Sequence, residues 1–337
     1  MTPRVGRVRL LDLMLIATPP LFWAGNFIVG RAMRDSMPPL TMGCIRWMLA
    51  LMMILPFAWR PMRRDLSFYQ GHPWRLAALS LAGVVAFNSL VYVGLRSTSA
   101  ANGLLLNSTI PALIMLIGAA FFRQRLKRHQ LLGLTLSLTG VATILAKGSF
   151  DALATMTFTP GDLVVFGGMV AWAFYTLWLR AVPPEIDRVG LLCVQIMVAL
   201  PVLMLMSLGE IATSARPVWT PWSVAAMAYL GIFPSFLAYL AYNLNVMRVG
   251  PVVAGLSIHL IPAFGVVLAV ALLAEPFFTY HAVGMVLIVV GLFCAGRRRY
   301  TPEADQGVPA GCRPISPGVS DREPGRRFPI RRPGRFA

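Results

Sequence analysis

Residues 108–122 read STIPALIMLIGAAFF, and residues 259–273 read HLIPAFGVVLAVALL. Apart from His259, neither stretch holds an ionisable side chain, and each has a proline at its fourth position. A helix of roughly 20 apolar residues crosses the hydrocarbon core of a membrane, but a proline within it removes a backbone donor and bends it. The two stretches therefore predict membrane helices that share one type of break.

The composition of the whole chain agrees with a membrane location. Of its 337 residues, 57% are hydrophobic and only 13% are charged, and the mean hydropathy is +0.69. A soluble fold needs more charged side chains to cover its exterior. Because backbone groups in lipid must pair internally, long apolar runs predict helices. We predict an all-α polytopic membrane protein in the lipid bilayer.

A window of about 20 residues finds ten candidate spans. They cover residues 10–30, 39–59, 75–95, 100–122, 129–146, 161–180, 189–209, 222–247, 251–274 and 279–296. The first follows basic residues, as a secretory signal does. No clear cleavage site with small residues is present, so we expect this segment to remain as a span.

Basic residues predict the orientation of the spans. With the N-terminus in the cytoplasm, the cytoplasmic segments up to Arg299 hold 17 basic residues and the opposite segments hold five. The positive-inside rule therefore predicts that both termini are cytoplasmic, in a multi-pass protein of the cell inner (plasma) membrane. The net charge of +17 is mostly this topology signal, so we expect no nucleic-acid partner.

The two opening stretches belong to a longer internal repeat. At an offset of 151 residues the matching pairs are Pro111 and Pro262, Gly133 and Gly284, and Gly140 and Gly291; at an offset of 149 they are Trp23 and Trp172, and Arg46 and Gln195. We predict a first five-helix repeat at residues 1–146, a linker loop at 147–160, a second five-helix repeat at 161–296, and a disordered Pro/Gly/Arg-rich cytoplasmic tail at 297–337.

An odd number of helices in each repeat determines their relative direction. Five crossings end on the opposite side of the membrane, so the second repeat is inserted upside down. Inverted repeats with a solute site between them underlie alternating access in many secondary transporters. On this view Pro111 and Pro262 are gating residues that line a wet cavity, and the alternative is that each makes only a packing kink. The paired glycines predict close helix packing.

Several motifs resemble a known family. They are WAGNFIVGR (23–31), RWMLALMMILP (46–56), IPALIMLIGAAFF (110–122) and QLLGLTLSLTG (130–140), with second copies in WAFYTLWLR (172–180) and HAVGMVLIVVGL (281–292). They look like EamA domains of the drug/metabolite transporter superfamily, over residues 10–296. The resemblance implies ten helices in two inverted halves, a central cavity, and commonly export of small metabolites. The family often has a glutamate after spans 4 and 9; Glu275 keeps it, whereas the first copy has Gln124.

No enzyme or metal-site motif is visible in the sequence. It has no GxSxG, phosphate-loop or HExxH signature and no carboxylate pair inside a span. Its four cysteines form no CxxC or Cys/His cluster, so we interpret them as small hydrophobic residues. We therefore expect no catalysis, no cofactor and no metal.

Polar and aromatic side chains inside spans are candidates for solute contact, because they are costly in lipid. They are Trp23, Asn26, Arg46, Asn88, Tyr92, Asn107, Trp172, Tyr175, Tyr239, Tyr242 and His259. The alternatives are an aromatic belt or core packing for the rings and interhelical hydrogen bonds for the asparagines. Arg46 either extends to the membrane surface or offers a cation to a carboxylate-bearing solute. His259 either accepts a proton during transport or makes structural hydrogen bonds.

These observations favour a secondary transporter that moves a small-molecule substrate by alternating access. We expect export of a small organic metabolite, an amino acid or a related compound. The alternative from another class is a non-transporting membrane scaffold or lipid-interacting protein, and the short loops argue against it. The energy source stays open between proton antiport, exchange and facilitation, and the oligomeric state also stays open.

Overall fold

A computed structural model describes residues 10–33, 36–98, 100–149, 157, 159–213, 216–273 and 276–296. The regular structure in these residues is helical, and no strand occurs among them. In chain order the helical segments are α1 (Leu10–Ala32), α2 (Pro39–Arg64), α3 (Pro73–Gly94), α4 (Ala100–Asn107 and Ile110–Phe122), α5 (Arg128–Leu145), α6 (Pro160–Arg180), α7 (Arg188–Thr213), α8 (Pro221–Val249), α9 (Pro251–Leu256, Ser257–His259 and Leu260–Leu273) and α10 (Thr279–Gly296).

The predicted all-α polytopic fold is confirmed. Each of the ten predicted spans corresponds to one of these segments, and nine segments in the described part are long and apolar enough to cross a membrane. The exception is α5, whose first three residues are Arg, His and Gln. Two differences concern the α2–α3 region: α2 continues to Arg64, five residues beyond its predicted end, and a short helix follows over Leu66–Gly71.

The predicted domain limits stay predictions. The predicted tail and most of the predicted linker lie outside the described residues, and so do Glu275 and Cys312.

The starts of several helices follow from their first residues. Proline is the first helical residue of α2, α3, α6, α8 and α9, namely Pro39, Pro73, Pro160, Pro221 and Pro251. Proline suits this position because the first backbone N–H of a helix has no partner within the helix. α6 is fixed further by its capping box, in which the Asp162 carboxylate accepts a hydrogen bond from the Thr159 backbone N–H at 2.6 Å.

The repeated prolines act differently from the kink that the sequence predicts. In α4 the helix stops at Asn107 and a second helix begins at Ile110, so Pro111 lies in the first turn of a new helix. In α9 the turn Ser257–His259 is a 3-10 turn, and Pro262 is the third residue of the helix that follows it. The expectation of a bent but continuous helix is wrong for α4, because a proline in a first turn leaves no intrahelical bond to break.

Two further irregularities occur at equivalent places in α3 and α8. Ser80–Ala86 and Gly231–Leu237 are π-helical, and the two segments are offset by 151 residues. A π-turn shifts the backbone pairing and leaves carbonyls available to other groups, and such turns are frequent at functional sites. The sequence did not predict these segments, because SLAGVVA and GIFPSFL share no motif.

Equivalent helices of the two halves pack antiparallel. Thr41, near the start of α2, contacts Glu210 near the end of α7, whereas Gly190, near the start of α7, faces Met62 near the end of α2. The remaining pattern is reciprocal, since α1 packs against α8 and α9 while α6 packs against α3 and α4. These contacts place the second half upside down relative to the first, as the odd helix number predicts.

The repeated glycines form the contact between α5 and α10. A Cβ at Gly133 would lie 2.5 Å from the Gly291 carbonyl oxygen, and a Cβ at Gly140 would lie 2.5 Å from that of Gly284. No side chain fits at that distance, so the two backbones meet directly at these positions. The predicted close packing of these helices is therefore confirmed.

Candidate functional site

The centre of the helix bundle is an aromatic cluster between the two halves. Trp23 of α1 and Trp172 of α6 meet edge to face, with ring centroids 5.3 Å apart. Tyr239 of α8 lies 5.3 Å from Trp172, and Tyr242 lies 5.1 Å from it. Four predicted site residues are thus brought together, and all are buried. Sequence reasoning missed Trp47, whose ring lies 4.8 Å from that of Tyr239.

The π-helical segments supply backbone acceptors to this cluster. The Trp23 indole N–H donates to the Pro234 carbonyl at 3.1 Å, and the Tyr239 hydroxyl donates to the Gly83 carbonyl at 2.9 Å. The Asn88 amide donates in turn to the Tyr239 hydroxyl at 3.0 Å. Asn88 and Tyr239 are themselves equivalent positions at the 151-residue offset. The predicted amide and tyrosine are therefore joined across the two halves.

A cationic polar group, which we call the Arg46 cluster, lies beside the aromatic rings. Arg46 is only 1% exposed, and its Nε donates to Ser235 Oγ at 2.7 Å. Its Nη1 donates to Asn26 Oδ1 at 3.2 Å and also to the Tyr92 hydroxyl. The interpretation that Arg46 extends to the membrane surface is therefore wrong. Neutral oxygen atoms hold its guanidinium inside the protein.

The equivalent group in the second half, the Gln195 cluster, is neutral. The Tyr175 hydroxyl donates to Asn243 Oδ1 at 2.7 Å and lies 3.4 Å from Gln195 Oε1. Gln195 occupies the position that Arg46 has in the first half. The amide nitrogens of Gln195 and Asn243 are buried without a hydrogen-bond partner among the described residues. Sequence reasoning identified Tyr175 but not the asparagine that it binds.

His259 connects the breaks in α4 and α9. Its Nε2 lies 2.8 Å from the Ser108 carbonyl oxygen and its Nδ1 lies 2.7 Å from Ser137 Oγ, and the ring is fully buried. Because a carbonyl only accepts, Nε2 must carry a proton, and a neutral ring then accepts at Nδ1. Asn107 is buried at the same break in α4, next to Ser108. Both residues thus lie outside the aromatic cluster.

Two buried carboxylates, which we call the clasps, join the ends of α2 and α7. At one end Glu210 accepts from the Thr41 backbone N–H at 2.8 Å and pairs with Arg96. At the other end Asp65 accepts from the Asp187 backbone N–H at 2.8 Å and pairs with Arg64. The hydrogen bond from Arg64 holds the pKa of the Asp65 carboxyl below its usual value.

The sequence predicted neither clasp, since it places these acids only near span ends. Within the described residues, no group of three or more His, Cys, Asp or Glu side chains lies close enough to hold a metal ion.

Comparisons with known proteins agree on one family. The model of the EamA-like transporter family matches residues 10–146 and 159–297. The "Uncharacterized transporter YyaM" of Bacillus subtilis (strain 168) is 28% identical over 229 residues, which cover 64% of this chain and 71% of that protein. An "Uncharacterized transporter" of Archaeoglobus fulgidus is 26% identical over 289 residues, covering 85% and 98%.

One further relative has a more specific name, and one solved structure shows the same fold. The "Probable terminal-alkyne amino-acid exporter" of Streptantibioticus cattleyicolor is 25% identical over 250 residues, covering 74% of this chain and 80% of that protein. A solved crystal structure superposes with a TM-score of 0.70 at 20% identity, covering 85% of this chain and 96% of that one. With one family match over each half of the chain, this protein belongs to the EamA-like transporter family.

Proposed function

We propose that the protein is a secondary carrier that exports a small organic metabolite, an amino acid or a related compound, across the inner membrane. The observation that carries this proposal is the aromatic and amide cluster between two oppositely inserted halves. In such an arrangement the halves exchange conformations, so the solute site faces first one side and then the other. Both chain termini lie in the cytoplasm in this proposal.

The proposed solute contacts are the residues of the aromatic cluster and of the two polar clusters. They are Trp23, Asn26, Arg46, Asn88, Tyr92, Trp172, Tyr175, Tyr239 and Tyr242. His259, Asn107, Pro111 and Pro262 lie at the breaks of α4 and α9, and we assign them to the conformational change. A broken helix supports that role, because its two parts can tilt separately.

The clasps support an alternating mechanism. Each end of the α2–α7 pair is held by one carboxylate, and a carboxylate bound to a backbone N–H forms a strong but reversible contact. We propose that release of the Glu210 clasp opens the outer side and release of the Asp65 clasp opens the cytoplasmic side.

The probable amino-acid exporter among the relatives supports a small solute with a charged group.

Transport in proteoliposomes tests the carrier proposal. A comparison of metabolites in cells with and without the gene first selects the solute, and its radiolabelled form is then followed into vesicles. We expect Tyr92→Ala and Tyr242→Ala to reduce the rate at least about tenfold, since each removes a ring and a hydroxyl from the proposed site. Tyr280→Ala, at the start of α10, is the matched control. Normal transport by both site variants would contradict the assignment.

A further inference from the structure

We infer that the solute carries one carboxylate, which binds the Arg46 guanidinium, and an aromatic or aliphatic body without a second charge. This inference rests on the proposed carrier function and narrows its substrate class from amino acids and related compounds to monocarboxylates without an ammonium group. The buried charge of Arg46 has no carboxylate partner among the described residues.

Arg46 is a buried cation without an anion. Its three hydrogen-bond acceptors, on Ser235, Asn26 and Tyr92, are neutral, and no carboxylate of the described residues pairs with it. Burying an isolated charge costs several kcal/mol, so buried cations are normally paired. Not every buried charge of the described residues has an ion partner, since Asp162 accepts only from neutral donors and Arg188 donates only to the Val182 and Pro183 carbonyls. Arg46 differs from both because it lies beside the aromatic rings between the two halves, where the proposed solute binds. The missing anion at Arg46 is therefore expected to come with the solute.

The Arg46 cluster also has the donors that a carboxylate needs. Arg46 Nη2 makes no hydrogen bond to the residues that the structure describes, which leaves one side of the guanidinium fork available. Tyr92 accepts from Arg46 through its oxygen, so its own proton is left to donate. Asn26 faces Arg46 with its carbonyl oxygen, so its amide N–H groups point elsewhere. One carboxylate oxygen can therefore accept from Arg46 Nη2, and the other can accept from the Tyr92 hydroxyl.

The surroundings of the cluster define the rest of the solute. The Arg46 guanidinium carbon lies 5.8 Å from the centroid of the Trp47 ring, which packs on Tyr239. A carboxylate at Arg46 would thus place the adjoining carbon skeleton among aromatic rings, which favours an apolar or aromatic body. The Gln195 cluster is neutral and offers no carboxylate to an ammonium group. A single carboxylate leaves the site without net charge, whereas an amino acid adds a cation that nothing pairs.

Ligand binding to the full chain in detergent tests this inference without transport. Tryptophan fluorescence is titrated with 3-phenylpropionate, its neutral amide 3-phenylpropionamide, the amine phenethylamine and the zwitterion L-phenylalanine. We expect the acid to bind at least about tenfold more tightly than the amide or the amine, as a hydrogen-bonded charge pair requires. L-Phenylalanine should bind more weakly than the acid. Equal binding of acid and amide, or tighter binding of L-phenylalanine, would overturn the inference.

Variants locate the carboxylate. Arg46→Gln should weaken binding of the acid at least about tenfold and binding of the amide by a smaller factor, because only the acid loses a charge pair. Arg46→Lys should restore part of the affinity, and Arg63→Gln, on the exposed end of α2, should have no effect. If Arg46→Gln does not fold, Tyr92→Phe removes one donor with little change of shape and should weaken binding of the acid more than binding of the amide. Unchanged acid binding by the folded variants refutes the site.

The two proposals fail in different ways. Carboxylate-selective binding without movement of any solute into vesicles would disprove the carrier and leave the Arg46 site standing. Equal transport of acid and amide would disprove the carboxylate site and leave the carrier standing.

Discussion

At the scale of single residues, the difference between Arg46 and Gln195 is the main asymmetry of the site. The two positions are equivalent in the repeat, yet one carries a charge and the other does not. Their neighbours differ accordingly, since Arg46 binds Asn26 and Tyr92 while Gln195 lies beside Tyr175. A symmetric exchange of conformations would therefore move a charged group on one side and a neutral group on the other.

His259 gives a prediction at this scale. His259→Ala leaves the Ser108 carbonyl and the Ser137 hydroxyl without this partner, which should lower the free energy of unfolding by about 1–3 kcal/mol. Melting in detergent measures the loss, and His129→Ala at the start of α5 is the control. We expect the pH profile of the remaining transport to keep its shape. A shifted profile with unchanged melting would instead favour proton transfer through this ring.

The residue types of the site could be predicted, but their partners could not. Amides and tyrosines inside apolar spans can be recognised from the sequence as candidate site residues, because polar groups are costly in lipid and are usually retained for a function. Ser235, by contrast, is an ordinary small residue in a span, and only the packing of α8 against α2 brings it to Arg46. The same holds for Glu210, whose contact with Thr41 spans 169 residues of chain.

At the scale of elements, the antiparallel α2–α7 pair has a carboxylate contact at each end. Both contacts are formed in this structure, so the pair is held at its two ends. Each also satisfies a backbone N–H near the start of a helix, which favours a negative charge at that place. We therefore expect each end of the α2–α7 pair to open when the carboxylate contact at that end is lost.

Native cysteines report on the two clasps. Cys44 lies one turn beyond Thr41 and Cys193 lies near the start of α7, and both are buried. After Cys294 and Cys312 are replaced by serine, we expect Glu210→Gln to raise the rate of maleimide labelling at Cys44 several-fold, because the amide binds Arg96 less strongly. Asp65→Asn should raise labelling at Cys193.

Each variant is the control for the other. A general loss of stability would expose both cysteines in both variants, whereas clasps that act separately expose one cysteine each. Labelling of both thiols to the same extent would contradict the proposed roles.

The breaks in the helices were only partly predictable. The repeated proline predicted a kink in α4 and α9, but not that α4 ends at Asn107 and restarts as a separate helix at Ile110. The π-helical segment of α3 contains no proline at all, so no local signal marked it. Its geometry depends on what packs around it, since Tyr239 from the other half binds the Gly83 carbonyl.

At the scale of the whole molecule, an odd number of helices per repeat was enough to predict the inversion. The offset of 151 residues then relates not only the prolines and glycines but also the two π-helical segments. The reciprocal packing could not be predicted from the sequence. In it, α1 packs against α8 and α9 of the other half, and α6 packs against α3 and α4.

Labelling from one side of the membrane tests the proposed orientation. In a chain without native cysteines, Ser36→Cys follows α1 and Glu185→Cys follows α6. An impermeant maleimide added to intact cells should react with the first and not with the second, because the repeats are inverted and the proposed orientation places the N-terminus in the cytoplasm. Both should react after the membrane is opened. Labelling of both, or of only the second, in intact cells would reject this topology.

The contact between Trp23 and Trp172 has a consequence for motion. The two residues are equivalent, so the pseudo-twofold operation that exchanges the halves carries the pair onto itself. Ser108 and His259, at the other offset, are related in the same way. In the proposed exchange of conformations we expect such self-mapped pairs to keep their contacts and to act as pivots, while groups away from the axis exchange their surroundings.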